Sequence, residues 1–223
     1  TILEYNNGQT NGHNAWRRYI REVLSPLGKG QRPGRVPFSA IFWGGVTSEN
    51  LKNRWKGIYD AKLPIDTCWI DAGWYEPLTG ETCADQSREW GNVGDWTVNK
   101  KYHPNEYQDV LELFAEHGTQ MMVWMEPERM RKTVKMWTKH LEHPDPNRID
   151  FLVALNDDEA CNDVINLVSG VIEKLKLAVY RQDFNTDPMA FFVPNETEDR
   201  IGAVENHYAS GILRFWDNLR EAH

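Results

Sequence analysis

From residue 38 onward, short apolar runs alternate with segments of helical periodicity, and this order limits the fold more than any other feature of the sequence. Parallel neighbours in a sheet need a helix-length return, so repeated strand-then-helix order predicts a parallel sheet with right-handed crossovers. Residues 38–43 form the first apolar run, closed by Gly44-Gly45; Leu51, Trp55, Ile58 and Tyr59 then share one helical face, with Thr47 or Ser48 as cap. Residues 67–71 read as a second strand. After a long insertion, Tyr107, Val110, Leu111 and Phe114 mark its helix, entered through Pro104-Asn105 and closed near Gly118. Residues 120–125 read as a third strand, with Val134, Trp137 and Leu141 marking a helix that His143-Pro144 ends. Residues 149–155 read as a fourth strand, and its helix opens at 156–159 and buries Ala160, Val164, Val168, Val171 and Leu175. Residues 177–184 read as a fifth, followed by a helix carrying Ile201, Val204, Tyr208, Ile212, Phe215 and Leu219.

Two architectures carry such an order. A doubly wound sheet places a glycine-rich phosphate loop after its first strand, and residues 42–48 contain neither G-x-G-x-x-G nor a Walker Lys. A (β/α)₈ barrel places functional side chains at the carboxyl ends of its strands; here those ends carry Trp43, Asp71, Trp124 with Glu126 and Glu128, and Asp183 with Asn185. The expected fold is therefore α/β, a (β/α)₈ TIM barrel truncated after about five units, since eight take about 250 residues. Residues 1–37 are expected to be a linker preceding the barrel, with a Gly-, Pro- and Arg-rich stretch at 28–37. Residues 38–223 are expected to be the N-terminal part of a catalytic domain.

Composition narrows the partners. With 33 acidic against 25 basic residues and a net charge of −8, no basic stretch exceeds Lys100-Lys101 or the run from Arg129 to Lys132, which argues against nucleic acid. No run approaches the ~20 apolar residues needed to cross a bilayer. The opening Thr1-Ile-Leu-Glu-Tyr lacks the features of a signal peptide, so a cytoplasmic location is expected over a secreted one. Three cysteines (Cys68, Cys83, Cys161) without a C-x-x-C pair, and seven histidines without ligand spacing, suggest neither a disulfide framework nor a zinc site. His103, His140 and His143 read as surface or capping residues.

An Asp at the end of an apolar strand costs several kcal/mol unless it is paired, hydrogen-bonded or solvated by an active-site mouth. Asp71 and Asp183 are therefore candidates for catalysis, or else for a salt bridge or helix cap. Glu126 and Glu128 fit better as the acidic first turn of a following helix. Trp43 and Trp124, taken singly, suit a core as well as a pocket wall. Of ten Trp, Trp69, Trp74, Trp90 and Trp96 lie in or beside the second strand and the connection spanning 73–102. That connection is far longer than the usual few residues and is expected to cover a ligand site. Carboxylates and Trp around a barrel mouth suit glycoside cleavage, which needs one carboxylate at the anomeric carbon and one acid at the leaving oxygen. Acids on successive strands also suit a metal-dependent lyase or isomerase, and a carbohydrate-binding remnant without catalysis is a third alternative.

Trp43, Asp71-Ala-Gly-Trp74, Gly94-Asp-Trp96, Trp124-Met-Glu-Pro-Glu128, His143-Pro144-Asp145 and Tyr180-Arg-Gln-Asp-Phe-Asn185 come in the order and approximate spacing of one family. From about Asn14 onward the chain resembles glycoside hydrolase family 36, the α-galactosidase-like enzymes. The resemblance implies a retaining glycosidase acting on α-galactoside-like oligosaccharides or glycosides by double displacement, without a cofactor. By position it implies Asp183 as the nucleophile, with Trp43, Asp71, Trp124, Arg148, Arg181 and Asn185 contacting the sugar. It also implies that the general acid/base lies on a later strand beyond His223, so that the chain alone is expected to be inactive. Two positions depart from the family pattern: Ala72 stands where a second Asp is common, and Arg181-Gln182-Asp183 stands for Lys-Trp-Asp. Arg keeps the charge of Lys but not its geometry, so both changes bear on the glycone, and one other than galactose, N-acetylated included, is compatible.

Overall fold

The computed structural model describes residues 8–25, 27, 34–43, 46–76, 92–134 and 137–223. Contacts divide the chain into Thr1–Pro37 and Phe38–His223. In the first unit α1 (Gln9–Tyr19) runs into a π-helical turn, Ile20–Leu24, and neither buries a residue. Most of the Gly/Pro/Arg-rich stretch, like Cys83, Trp90 and the middle of the 73–102 connection, lies outside the described residues.

The strands of the second unit, in chain order, are β1 (Ser39–Phe42), β2 (Thr67–Ile70), β3 (Gln120–Met125), β4 (Arg129–Arg131), β5 (His140–Glu142), β6 (Asp150–Val153) and β7 (Leu177–Gln182). The helices are α2 (Ser48–Asp60), α3 (Gln108–His117), α4 (Asp158–Leu175), α5 (Met189–Phe192) and α6 (Ala203–Ala222). Strands β1, β2, β3 and β7 form one parallel sheet in that order. Its helix-side residues, Cys68, Ile70, Met121, Val123 and Met125, are buried among Leu51 and Trp55 of α2, Val110 and Phe114 of α3, and Val164, Val168 and Leu175 of α4. Local signals start and stop these helices as the sequence predicts. The Thr47 side chain accepts the Asn50 N–H, Asp157 accepts from Glu159 and Ala160, and Gly118 ends α3 with φ +70°.

The expected fourth parallel strand and the helix before it are corrected by the structure. Residues 150–153 are the central strand of a three-stranded antiparallel sheet ordered β4-β6-β5, and β7 pairs directly with β3. Val134, Trp137 and Leu141 keep a helical spacing, yet Leu141 lies in β5 and Trp137 donates its indole N–H to Gly94 O at 3.0 Å. The cause is charge. Arg131 stands opposite Asp150 in register and pairs with it at 2.9 Å, while Arg129 approaches the same carboxylate at 3.7 Å. An Asp buried to this degree needs such partners, and the cross-strand Arg residues select antiparallel pairing with β4. An apolar run alone does not say which neighbour a strand takes.

His103 is a second correction, for it is fully buried rather than a surface residue. Ser48 Oγ lies 2.9 Å from its Nδ1 and Tyr107 Oη 2.8 Å from its Nε2, so the ring ties the start of α2 to the segment before α3. Burial pushes its pKa down to about 4, against the pull of Asp109. The folded state thus keeps the ring neutral while the unfolded chain protonates it near pH 6.5. The stability this represents is fully present above that pH and is lost as pH falls towards 4, amounting to about 3 kcal/mol. Urea unfolding between pH 7.5 and 4 should show this loss in the natural chain and a shallower one in His103→Asn; identical slopes would contradict it.

Candidate active site

Register assembles the site. Ile41 pairs with Trp69, Trp69 with Met122, and Trp124 with Arg181. Carried two residues on, this places Trp43, Asp71 and Trp124 side by side across the carboxyl ends of three strands, with Arg181 next to Trp124. Side chains alternate along a strand, so all four share the face opposite the helices, and Asp183 follows Arg181 on that face.

The interactions centre on Asp183. Trp124 Nε1 donates to its Oδ2 at 2.8 Å, Asn185 Nδ2 donates to the same oxygen at 3.0 Å, and an Arg181 guanidinium nitrogen lies 3.2 Å from it. None of the three takes Oδ1. Partial burial raises the Asp183 pKa, but the Trp124 and Asn185 hydrogen bonds, the Arg181 charge and a hydrogen bond from the Phe184 backbone N–H outweigh it and hold the carboxyl below its ordinary value. Asp71 shifts the other way: burial raises it, the Asp183 charge adds to that, and the Ala72 N–H and Arg181 oppose. Two neighbouring carboxyls are thus pushed apart in acidity, an arrangement that catalytic sites use.

Arg181 also stands over the Trp69 ring, 4.9 Å from its centroid. Trp69 lies two residues before Asp71, a spacing that puts both on one face of β2 and would have marked it as a site residue. Trp124 is almost wholly buried against Tyr75 and Trp96, so what it presents at the site is chiefly its N–H. Trp74 stacks on Trp96 and donates to Trp124 O at 2.7 Å, so the described end of the 73–102 connection contributes to the core. Arg148 stands farther out, with one guanidinium nitrogen donating to Thr186 Oγ1 at 2.9 Å and 3.9 Å from Asp150. Trp43 is half-buried directly after β1.

Glu126 and Glu128 do not begin a helix. Both are buried beyond the end of β3; Glu126 pairs with Arg129 and accepts the Asn185 backbone N–H, and Glu128 accepts from Gln182 and Tyr208. Burial raises both pKa values. A cavity of about 470 Å³ near the end of β7 is lined by Gln182, Asp183, Phe184, Tyr208 and Trp216 among others, but by none of Trp43, Asp71, Trp124 and Arg181. It meets the site only at Asp183. Among the described residues no three His, Cys, Asp or Glu side chains are grouped as metal ligands.

Known proteins share this arrangement of chain. The sequence is 24% identical over 170 residues to α-galactosidase AgaA of Geobacillus stearothermophilus, covering 71% of this chain and 22% of that protein. It is 22% identical over 235 residues to α-galactosidase 1 of Pediococcus pentosaceus, covering all of this chain and 30% of that one. This chain therefore spans less than a third of the length of either relative. The crystal structure of AgaA superposes with a TM-score of 0.69 at 19% identity, over 84% of this chain and 26% of AgaA, which shows a common fold. Residues 43–223, the stretch that holds the whole row of candidate residues, match the Melibiase family model, and the chain belongs to that family.

Proposed function

We propose that this chain supplies the nucleophile and the sugar-binding wall of a retaining α-glycosidase acting on α-galactoside-like oligosaccharides, and that its parallel sheet is part of a (β/α)₈ barrel. The observation that carries the proposal is Asp183 at the carboxyl end of β7, its carboxyl held below the ordinary value, with the Trp124 and Asn185 hydrogen bonds and the Arg181 cation all drawn to Oδ2. Oδ1 attacks the anomeric carbon, forming a glycosyl ester as the bond to the leaving oxygen breaks. A carboxylic acid protonates that oxygen, and its conjugate base then activates water to release the sugar. Glu126, fully buried, is not that acid; the family resemblance assigns the role to residues outside this chain.

Two observations support the sugar. AgaA variants have been crystallised with stachyose and with raffinose. Asp71 and Arg181 offer an acceptor and fixed donors to hydroxyls. At the β1 edge the face of the sheet away from the helices is open, with Ile41 51% exposed, whereas parallel sheets have both faces covered; this supports the barrel, whose closure covers that edge. Ala72 is fully buried and offers no hydroxyl partner where the family commonly has Asp, which bears on the choice of glycone.

The test needs no turnover. An AgaA variant has been crystallised with 1-deoxygalactonojirimycin, whose ring ammonium sits where positive charge develops in the reaction and should pair with the Asp183 carboxylate. Calorimetric titration should show the natural chain binding it and Asp183→Asn binding about 100-fold more weakly. Equal affinities would overturn the assignment.

A further inference from the structure

We propose that Glu126 is a positioning residue for the nucleophile: its Oε1 accepts the Asn185 backbone N–H at 2.5 Å while Arg129 holds its other oxygen, and this fixes residues 183–185 with Asn185 Nδ2 on Asp183 Oδ2. The role rests on Asp183 being the nucleophile. The sheet explains why a side chain is needed. The Asp183 N–H donates to Met125 O at 2.8 Å, continuing the ladder between β3 and β7. In a parallel ladder the next rung belongs two residues on, where the Asn185 N–H should meet the carbonyl of residue 127. The chain has by then left the sheet in a turn, closed by the Arg129 N–H on Glu126 O at 3.2 Å. The Glu126 carboxylate stands in for the missing rung.

Glu126 is fully buried, so it acts on the reaction only through the segment it holds. A carboxylate in such a place is retained at a cost in desolvation, which Arg129 and the Asn185 N–H offset. On the other side of the nucleophile Glu128 accepts Gln182 Nε2 at 2.6 Å and Tyr208 Oη at 2.8 Å. Asp183 thus lies between two anchored neighbours, although Asn185 itself is exposed. Loss of the Glu126 anchor frees Asn185 and lets the Asp183 carboxylate rotate away from the line of attack, and a displacement of that size costs about 100-fold in rate.

The experiment is the rate at which a 2-fluoro glycosyl fluoride of α-galacto configuration labels the full chain. An Asp183 oxygen forms a bond to the anomeric carbon, and fluoride leaves with the electron pair of the C–F bond, so no acid is required. Glu126→Ala should label about 100-fold more slowly than the natural chain at an unchanged half-saturating concentration. Glu126→Gln keeps a carbonyl oxygen for the Asn185 N–H and should stay within about 10-fold. Both variants lose the ion pair with Arg129 and should melt at similarly lowered temperatures, so a purely structural role would slow them alike. Equal labelling rates for the two variants would overturn the positioning role. If Glu126→Ala does not fold, Glu126→Asp, one methylene shorter, replaces it with the same expected loss. A natural chain that takes no label, or takes it elsewhere than Asp183, overturns the nucleophile reading and the positioning role with it.

Discussion

Replacement of Asp183 by Ala in an active enzyme containing this chain is expected to lower turnover of an aryl α-galactoside by roughly 10⁴-fold or more. Binding of the neutral substrate should stay measurable, because the nucleophile acts mainly in the transition state. Trp124 and Asn185 are hydrogen-bond donors, Arg181 is a cation and Glu126 is sealed from substrate; Asp71, the other nearby carboxyl, is held above its ordinary pKa by burial and is the weaker nucleophile. Azide, entering the space left by the carboxylate, should restore part of the rate by attacking the anomeric carbon and yield a glycosyl azide. A variant that keeps most of its turnover, or that azide leaves unchanged while its Tm falls sharply, would show that Asp183 serves the fold.

The second large effect lies away from the chemistry. Gly211 sits in α6 where the helix crosses Leu155, and a Cβ built there would lie 1.9 Å from Leu155 O and 2.7 Å from Leu155 C. Those are backbone atoms and have no rotamer to move into. Gly211→Ala therefore has to push α6 outward, disturbing the packing of Tyr208, Phe215 and Leu219, the other residues that α6 buries. We expect a loss of about 3 kcal/mol or more, at the upper end of overpacking costs. Gly170 in α4 is the control. A Cβ there meets nothing within 4 Å, so Gly170→Ala should stabilise by up to about 1 kcal/mol through helix propensity. Denaturant unfolding of the two variants separates them by sign; equal effects would mean that α6 does not press on Leu155.

What the sequence made legible depended on whether one chain segment sufficed to decide it. α2 and α4 each carry their own periodicity and caps, α6 carries its periodicity, and the runs that become β1, β2, β3 and β7 are apolar enough to be recognised singly. Residues 150–153 are legible as a strand but not their pairing, and residues 129–142 are not legible at all, because both depend on a partner: Arg131 finds Asp150 across a strand pair that no local pattern announces. The burial of His103 is hidden for the same reason, since its hydrogen-bond partners Ser48 and Tyr107 come from the starts of two different helices. The ends of the strands pointed to Trp43, Asp71, Trp124 and Asp183, and period-two spacing from Asp71 leads to Trp69. The duty of Glu126 towards Asn185 becomes visible only when β3 and β7 lie side by side.

The central claim, that Asp183 forms the covalent bond to the sugar, is tested most directly by peptide mapping after exposure to a 2-fluoro glycosyl fluoride of α-galacto configuration. Mass spectrometry should find one fluorosugar per chain, on the peptide that contains Asp183, and none on the Asp183→Ala variant. A label on Asp71, Glu126 or Glu128, or one that persists in the variant, would contradict the account.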